Sequence, residues 1–153
     1  METVTGDLTE QKIEQLLTLA REARERAYAP YSHFAVGAAL LGRSGRVYTG
    51  CNVENASYPL TICAERAAVT KAVSEGEREF EAIAVVTATG AMPCGACRQV
   101  LREFGGTEGG LRVIVAGLGD SSSRRKKRGG DGPVRVFTIA DLLPESFVPD
   151  QLS

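Results

Sequence analysis

Ile13, Leu16, Leu17, Ala20, Ala23 and Ala27 recur at three- and four-residue intervals and fall on one face of a helix. Asp7 with Glu10 three positions later has the form of a capping box, so the pattern predicts a first helix over residues 8–28. Tyr28-Ala29-Pro30-Tyr31-Ser32 ends it, because the residue before a proline is driven out of the helical region. Residues 34–41 read as a strand, and the turn Gly42-Arg43-Ser44-Gly45 sends the chain back along 46–53 as its partner. The stretch 52–61 keeps neither period. An alanine-rich helix follows over 63–74, closed by Gly76. Residues 82–87, short, apolar and β-branched, read as a buried strand. Gly90 to Pro93 breaks the pattern, and Cys94 opens a helix reaching Gly105-Gly106. Strands at 111–116 and 134–138, then a tail anchored by Leu142, Leu143 and Phe147, complete the chain.

Helices alternating with strands that are apolar on both faces predict an α/β fold. It is a three-layer α-β-α arrangement around a mixed five-stranded sheet. At 153 residues the chain suits a single domain spanning 1–153, with no internal repeat. One stretch stands apart. Residues 117–132, which contain Ser121-Ser122-Ser123-Arg124-Arg125-Lys126-Lys127-Arg128, have no apolar period and predict a flexible basic loop. Such a run can serve nuclear entry or nucleic-acid binding. With a formal net charge of −1 over the chain, a solvated insertion is the favoured reading, and nucleic acid is not expected as a partner.

Asp7, Glu10, Lys12 and Glu14 interrupt any apolar leader, and no stretch approaches the ~20 apolar residues of a membrane span. A cytoplasmic location is therefore expected, where thiols stay reduced and four cysteines favour metal binding or catalysis over disulfides. Cys63, Cys94 and Cys97 are the candidate ligands: Cys63 begins one helix, and Cys94 and Cys97 share a face where another begins. Helix N-termini favour thiolate, and a zinc ion with three protein ligands keeps its fourth position open to water. Glu65, two residues from Cys63, would be ordinary in a helix's first turn. Beside an open metal position it becomes a candidate general acid–base. Arg66 and Arg98 follow the two motifs and are expected to offset the charge of three thiolates, surface or intersubunit salt bridging being the alternative. Cys51, in a strand, reads as core, and His33, the one histidine, as solvent-facing or structural.

Cys63-Ala64-Glu65 with Pro93-Cys94-Gly95-Ala96-Cys97 fits the zinc-deaminase signature, in which the glutamate is not a ligand. Ala29-Pro30-Tyr31-Ser32, residues 36–40, residues 50–56, Cys63-Ala64-Glu65-Arg66, residues 93–99 and Leu142-Leu143-Pro144 together closely resemble the cytidine deaminase family, specifically its small homotetrameric branch. The likeness runs from about Ala27 to Leu152. The resemblance implies one zinc per subunit and hydrolysis of cytidine and deoxycytidine to uridine and deoxyuridine with release of ammonia, serving pyrimidine salvage. Water would add at C4, with Glu65 protonating N3 and then the leaving amine. It also implies that Asn52 and Glu54 hydrogen-bond the ribose 3′-hydroxyl, that Phe34 is an aromatic wall, and that the Ala64 backbone meets the pyrimidine edge. In a homotetramer with shared active sites, Ala56 and Tyr58 would reach a neighbouring pocket and Phe147 would cover the base.

Met92 stands where the family often has serine, and the insertion around Arg124–Arg128 exceeds the family's usual turn. Three rivals are weaker. Polynucleotide deaminases typically carry His-x-Glu, and a 3′-hydroxyl contact from Glu54 would clash with a continuing phosphodiester. An antibiotic-nucleoside deaminase is disfavoured by the stretch 52–58. A structural zinc module needs a fourth ligand, which only Cys51 or His33 could supply.

Overall fold

Side chains alternate across a strand, and that alternation sorts the apolar residues onto two faces of one sheet. In β1 (Gly37–Gly42) Ala38 and Leu40 join one buried cluster while Ala39 and Leu41 join another. In β3 (Phe80–Thr87) the division is Ile83 and Val85 against Ala82, Ala84 and Val86. In β4 (Arg112–Gly117) it is Val113 and Val115 against Ile114 and Ala116. These facts come from a computed structural model that describes residues 8–118 and 134–152. With β2 (Val47–Cys51) and β5 (Arg135–Thr138) the strands form a five-stranded sheet in the order β2-β1-β3-β4-β5. The β3–β4 pair is parallel and the other three are antiparallel, so the sheet is mixed as expected.

The helix α1 (Glu10–Arg24) presses Leu16, Leu17 and Ala20 onto the second of these faces, the one that carries Ala39, Leu41, Ala84 and Ile114. The opposite face is covered by α2 (Ala64–Ser74) through Ala64, Ala68, Val69 and Ala72, and by α3 (Gly95–Glu103) through Leu101. The short α4 (Ile139–Leu142) adds Ile139 to that cluster. The result is the three-layer α-β-α sandwich.

The first helix and the first strand differ most from the sequence pattern. The first helix starts at Glu10, where the Thr9 hydroxyl oxygen accepts from the Lys12 amide at 3.0 Å. Asp7 lies outside the described residues. The helix ends at Arg24 rather than 28 because Tyr28 has other partners. Its amide donates to the Asn52 carbonyl, and its own carbonyl accepts from the Glu54 amide, both at 2.9 Å. The first strand starts at Gly37 rather than 34. The Val36 amide and the Phe34 carbonyl bond to the Asn52 side chain instead of to a neighbouring strand. The basic loop expected at 117–132 falls outside the described residues apart from Gly117, which ends β4, and the exposed Leu118.

Helix α1 crosses β1 closely at Gly37. A Cβ there would lie 2.0 Å from the Ala20 carbonyl oxygen and 2.6 Å from the Arg24 amide nitrogen. Both are backbone atoms, so relief requires a shift of helix against sheet. Gly37→Ala is expected to lose about 3 kcal/mol in chemical denaturation. Gly110→Ala, at a position with nothing within 4 Å, should stay within about 0.5 kcal/mol of the parent.

Candidate active site

The helices α2 and α3 begin in the same way. Their N-cap residues are Cys63 (φ −77°, ψ 156°) and Cys94 (φ −73°, ψ 170°), both extended, and neither sulfur caps its own helix. Both sulfurs are thereby free to face a common point. Cys97, in the first turn of α3 and fully buried, supplies the third. The three Sγ atoms lie within 4.8 Å of one another.

Each of these helix starts is a positive dipole end that favours thiolate. A hydrogen bond from the Cys97 thiol holds Cys63 down to about 5; Arg66 adds to this and burial opposes it. Cys97 moves the other way, pushed up because it donates to Cys63 and is buried. The two shifts oppose each other because the thiols face one another, and Arg66 beside Cys63 favours negative charge there. Arg66 Nη2 stands 3.5 Å from Cys63 Sγ and 3.4 Å from the Thr61 carbonyl oxygen. Its Nε is buried with no hydrogen-bond partner among the described residues. Three converging sulfurs, one of them backed by a guanidinium that favours thiolate, fit a zinc ion with three protein ligands and one open position.

Glu65, in the first turn of α2 and 4% exposed, lines the same cavity of about 250 Å³ as Cys63 and Cys94. Burial pushes its carboxyl above the ordinary carboxylate range. The cavity lies on the α2–α3 face, beside Thr87 at the carboxyl end of β3, where open α/β sheets place their ligands.

Phe34, Asn52, Glu54 and Ala64 also line this cavity. Asn52 is buried, its Oδ1 accepting from the Val36 amide at 2.9 Å and its Nδ2 donating to the Phe34 carbonyl at 2.8 Å. It therefore fixes the backbone that carries Phe34. Glu54 Oε1 accepts from the amides of Tyr31 at 3.0 Å and Ser32 at 3.1 Å, and Oε2 accepts from the Ser32 hydroxyl. That hydroxyl is the main cause holding the Glu54 carboxyl below its usual range.

The other expected residues sit elsewhere. Ala56, Tyr58 and Phe147 are exposed and outside the cavity lining. Tyr58 stacks at a tilt on Tyr31 with centroids 5.9 Å apart, and the Phe147 carbonyl accepts from Gln99 Nε2 at 3.0 Å. The hydrogen bonds of Arg98 go to the carbonyls of Pro93 (2.8 Å) and Leu142 (3.0 Å), so it ties the loop before Cys94 to the C-terminal segment. Cys51 is half-buried in β2, and His33 is exposed in a left-handed turn (φ 59°). Neither belongs to the sulfur cluster.

Sequence reasoning assigned no role to Ser32 or Thr87, both of which line the cavity. For Thr87 the available signal was its place as the last residue of a strand before a glycine-containing break.

An α-β-α sandwich with three thiols and a buried carboxyl at paired helix starts defines the zinc-deaminase class of protein. The family profile described as "Cytidine and deoxycytidylate deaminase zinc-binding region" matches residues 10–109, and the chain belongs to this family. It is 46% identical over 143 residues to the cytidine deaminase of Sporosarcina psychrophila, covering 92% of this chain and 95% of that protein. To the cytidine deaminase of Mycobacterium tuberculosis it is 47% identical over 135 residues, 87% of each. The crystal structure of cytidine deaminase from Burkholderia pseudomallei matches the fold with a TM-score of 0.77 at 46% identity, over 92% of this chain and 100% of that one.

Proposed function

We propose that the protein hydrolyses cytidine and deoxycytidine to uridine and deoxyuridine with release of ammonia, serving pyrimidine salvage. The observation that carries this is the placement of Glu65, a buried acid that is no metal ligand, on the same cavity as Cys63 and Cys94. Cys63, Cys94 and Cys97 would hold one zinc ion per subunit, which supplies Lewis acidity and makes water nucleophilic at neutral pH. Glu65 takes one proton of the attacking water and gives it to ring N3, then takes the second from the new C4 hydroxyl and gives it to the amine, which leaves C4 as ammonia. Its raised carboxyl suits a group that must both accept and return a proton. Arg66 offsets the negative charge of the sulfurs. Arg98 acts at one remove by holding the Pro93 carbonyl.

Glu54 is fixed as an ionised acceptor, and Asn52 keeps one Nδ2 hydrogen beyond its bond to Phe34, so together they can meet a sugar hydroxyl. Phe34 stands as the aromatic wall, and the Ala64 backbone meets the pyrimidine edge. Tyr28, Tyr31, Val53, Tyr58, Leu60 and Ile62 are exposed along two neighbouring segments. This apolar run supports a homotetramer in which Ala56, Tyr58 and Phe147 complete a neighbour's cavity. The proposal treats 1–153 as one domain and places it in the cytoplasm, where its thiols stay available to metal. Among the described residues no helix is long and apolar enough to cross a membrane.

An ultraviolet assay of purified protein on cytidine, deoxycytidine and a cytosine-containing oligonucleotide, with metal analysis alongside, tests the reading. Both nucleosides should be turned over and the oligonucleotide spared, because a 3′-phosphodiester would meet the fixed Glu54 carboxylate. Stoichiometric zinc without nucleoside turnover would leave a structural metal module.

A further inference from the structure

Thr87 closes β3 on the face that Ile83 and Val85 present to α2 and α3. It is 2% exposed and lines the cavity with Glu65 and Cys94. Its Oγ1 accepts from the Gly90 amide at 2.8 Å and from the Ala91 amide at 2.9 Å. A hydroxyl oxygen offers two acceptor positions and one hydrogen. Both acceptor positions are therefore filled from the backbone, and the hydroxyl of this cavity-lining residue can act only as a donor. Among the described residues no acceptor takes that hydrogen. The loop that imposes this is held in place. Gly90 has left-handed backbone (φ 78°), which turns its amide back onto the strand end, and Arg135 Nη2 donates to its carbonyl at 2.9 Å.

We propose that Thr87 is a specificity residue whose donor-only hydroxyl grips a carbonyl oxygen of the pyrimidine ring; this rests on the deaminase reading above. A buried donor without a partner is unfavourable, so a ligand that brings an acceptor is selected over one that does not. Cytidine and uridine both carry a carbonyl at C2, and uridine alone carries one at C4. The exocyclic amine of cytidine offers hydrogens, which this hydroxyl cannot accept. Because the two backbone amides orient the hydroxyl before ligand arrives, little is lost in ordering it on binding.

The test compares wild type, Thr87→Ser and Thr87→Val, all zinc-loaded. It measures kcat/KM for cytidine against 2-thiocytidine and inhibition constants for uridine against 4-thiouridine, since sulfur is the weaker acceptor. Wild type should favour the oxygen member of one pair by about three- to tenfold, the range of a neutral hydrogen bond. Thr87→Ser should keep that preference. Thr87→Val, with circular dichroism unchanged, should bring it within about twofold. The pair that responds identifies the C2 or the C4 carbonyl. Each ratio is internal to one variant, so a displaced loop that weakens both members equally does not move it. A preference that persists in Thr87→Val would overturn the proposal and leave Thr87 as a latch for Gly90 and Ala91. So would wild-type ratios near one for both pairs, a result that does not depend on the valine variant folding. Absence of cytidine turnover by wild type would overturn the deaminase reading beneath it, whereas turnover with flat ratios overturns the role of Thr87 alone.

Discussion

Glu65→Ala is expected to keep one zinc per chain and the folded sandwich, yet lose cytidine turnover by about a hundred- to ten-thousandfold. The metal should survive because the sulfur cluster able to hold it is Cys63, Cys94 and Cys97, and the Glu65 carboxyl lies outside that cluster. The fold survives because the side chain is 4% exposed and burial already disfavours its charged form. Removing such a group relieves an unfavourable ionisation rather than breaking an ion pair. What disappears, on the proposed mechanism, is the group that would carry one proton from water to N3 and a second to the leaving amine. Glu65→Gln separates shape from proton transfer, since it fills the same space and cannot carry the proton. Steady-state kinetics, atomic absorption for zinc and circular dichroism on both variants decide the matter. Turnover within about tenfold of the parent in Glu65→Gln would remove the carboxyl from the mechanism and turn attention to another group on the cavity.

The parts of this site that were legible in the sequence are those whose geometry is local. Cys63 and Glu65 sit two residues apart at one helix start, and Cys94 and Cys97 share a face at another through their three-residue spacing. The strands were legible for the same reason, as short apolar runs buried on both faces. The parts that depended on distant partners were not. The first helix has the apolar period to continue past Arg24, but hydrogen bonds linking Tyr28 with Asn52 and Glu54 decide the path there. Asn52, between a strand and an irregular stretch, gives no hint in its neighbourhood that its side chain holds Phe34 and Val36, eighteen and sixteen residues earlier.

Arg66 and Arg98 look equivalent beside their motifs, yet Arg66 reaches a sulfur while Arg98 reaches two carbonyls. Which face of a helix a long side chain follows depends on what packs beside it, and adjacency in sequence does not carry that. Thr87 reads as one more β-branched core residue, and its chemistry appears only when the loop returns two amides to its oxygen. The roles proposed for Ala56, Tyr58 and Phe147 would depend on an assembly, a level of structure that no period within one chain encodes.

Cys97→Ala should have the largest effect on the metal. Cys97 is fully buried and shares a hydrogen with Cys63, so its sulfur is part of the donor set before any ion arrives. Without it two thiols remain, one exposed on Cys94, and two ligands do not define a tetrahedral site. Zinc retained after gel filtration should fall to a small fraction of one per chain. Turnover should drop by more than about a thousandfold, the loss of several kcal/mol of Lewis-acid stabilisation. Because a ligand that binds only the folded state raises its stability, the wild type should melt at lower temperature after chelation, while Cys97→Ala should melt at the same temperature with or without chelator. Cys51→Ala is the matched control: a half-buried thiol in β2 outside the sulfur cluster, whose loss should leave metal content and turnover near the parent values. Full zinc in Cys97→Ala together with its loss in Cys51→Ala would reverse the ligand assignment. Loss in both would point to damage of the sheet, because Cys51 pairs with Gly37 where β2 meets β1.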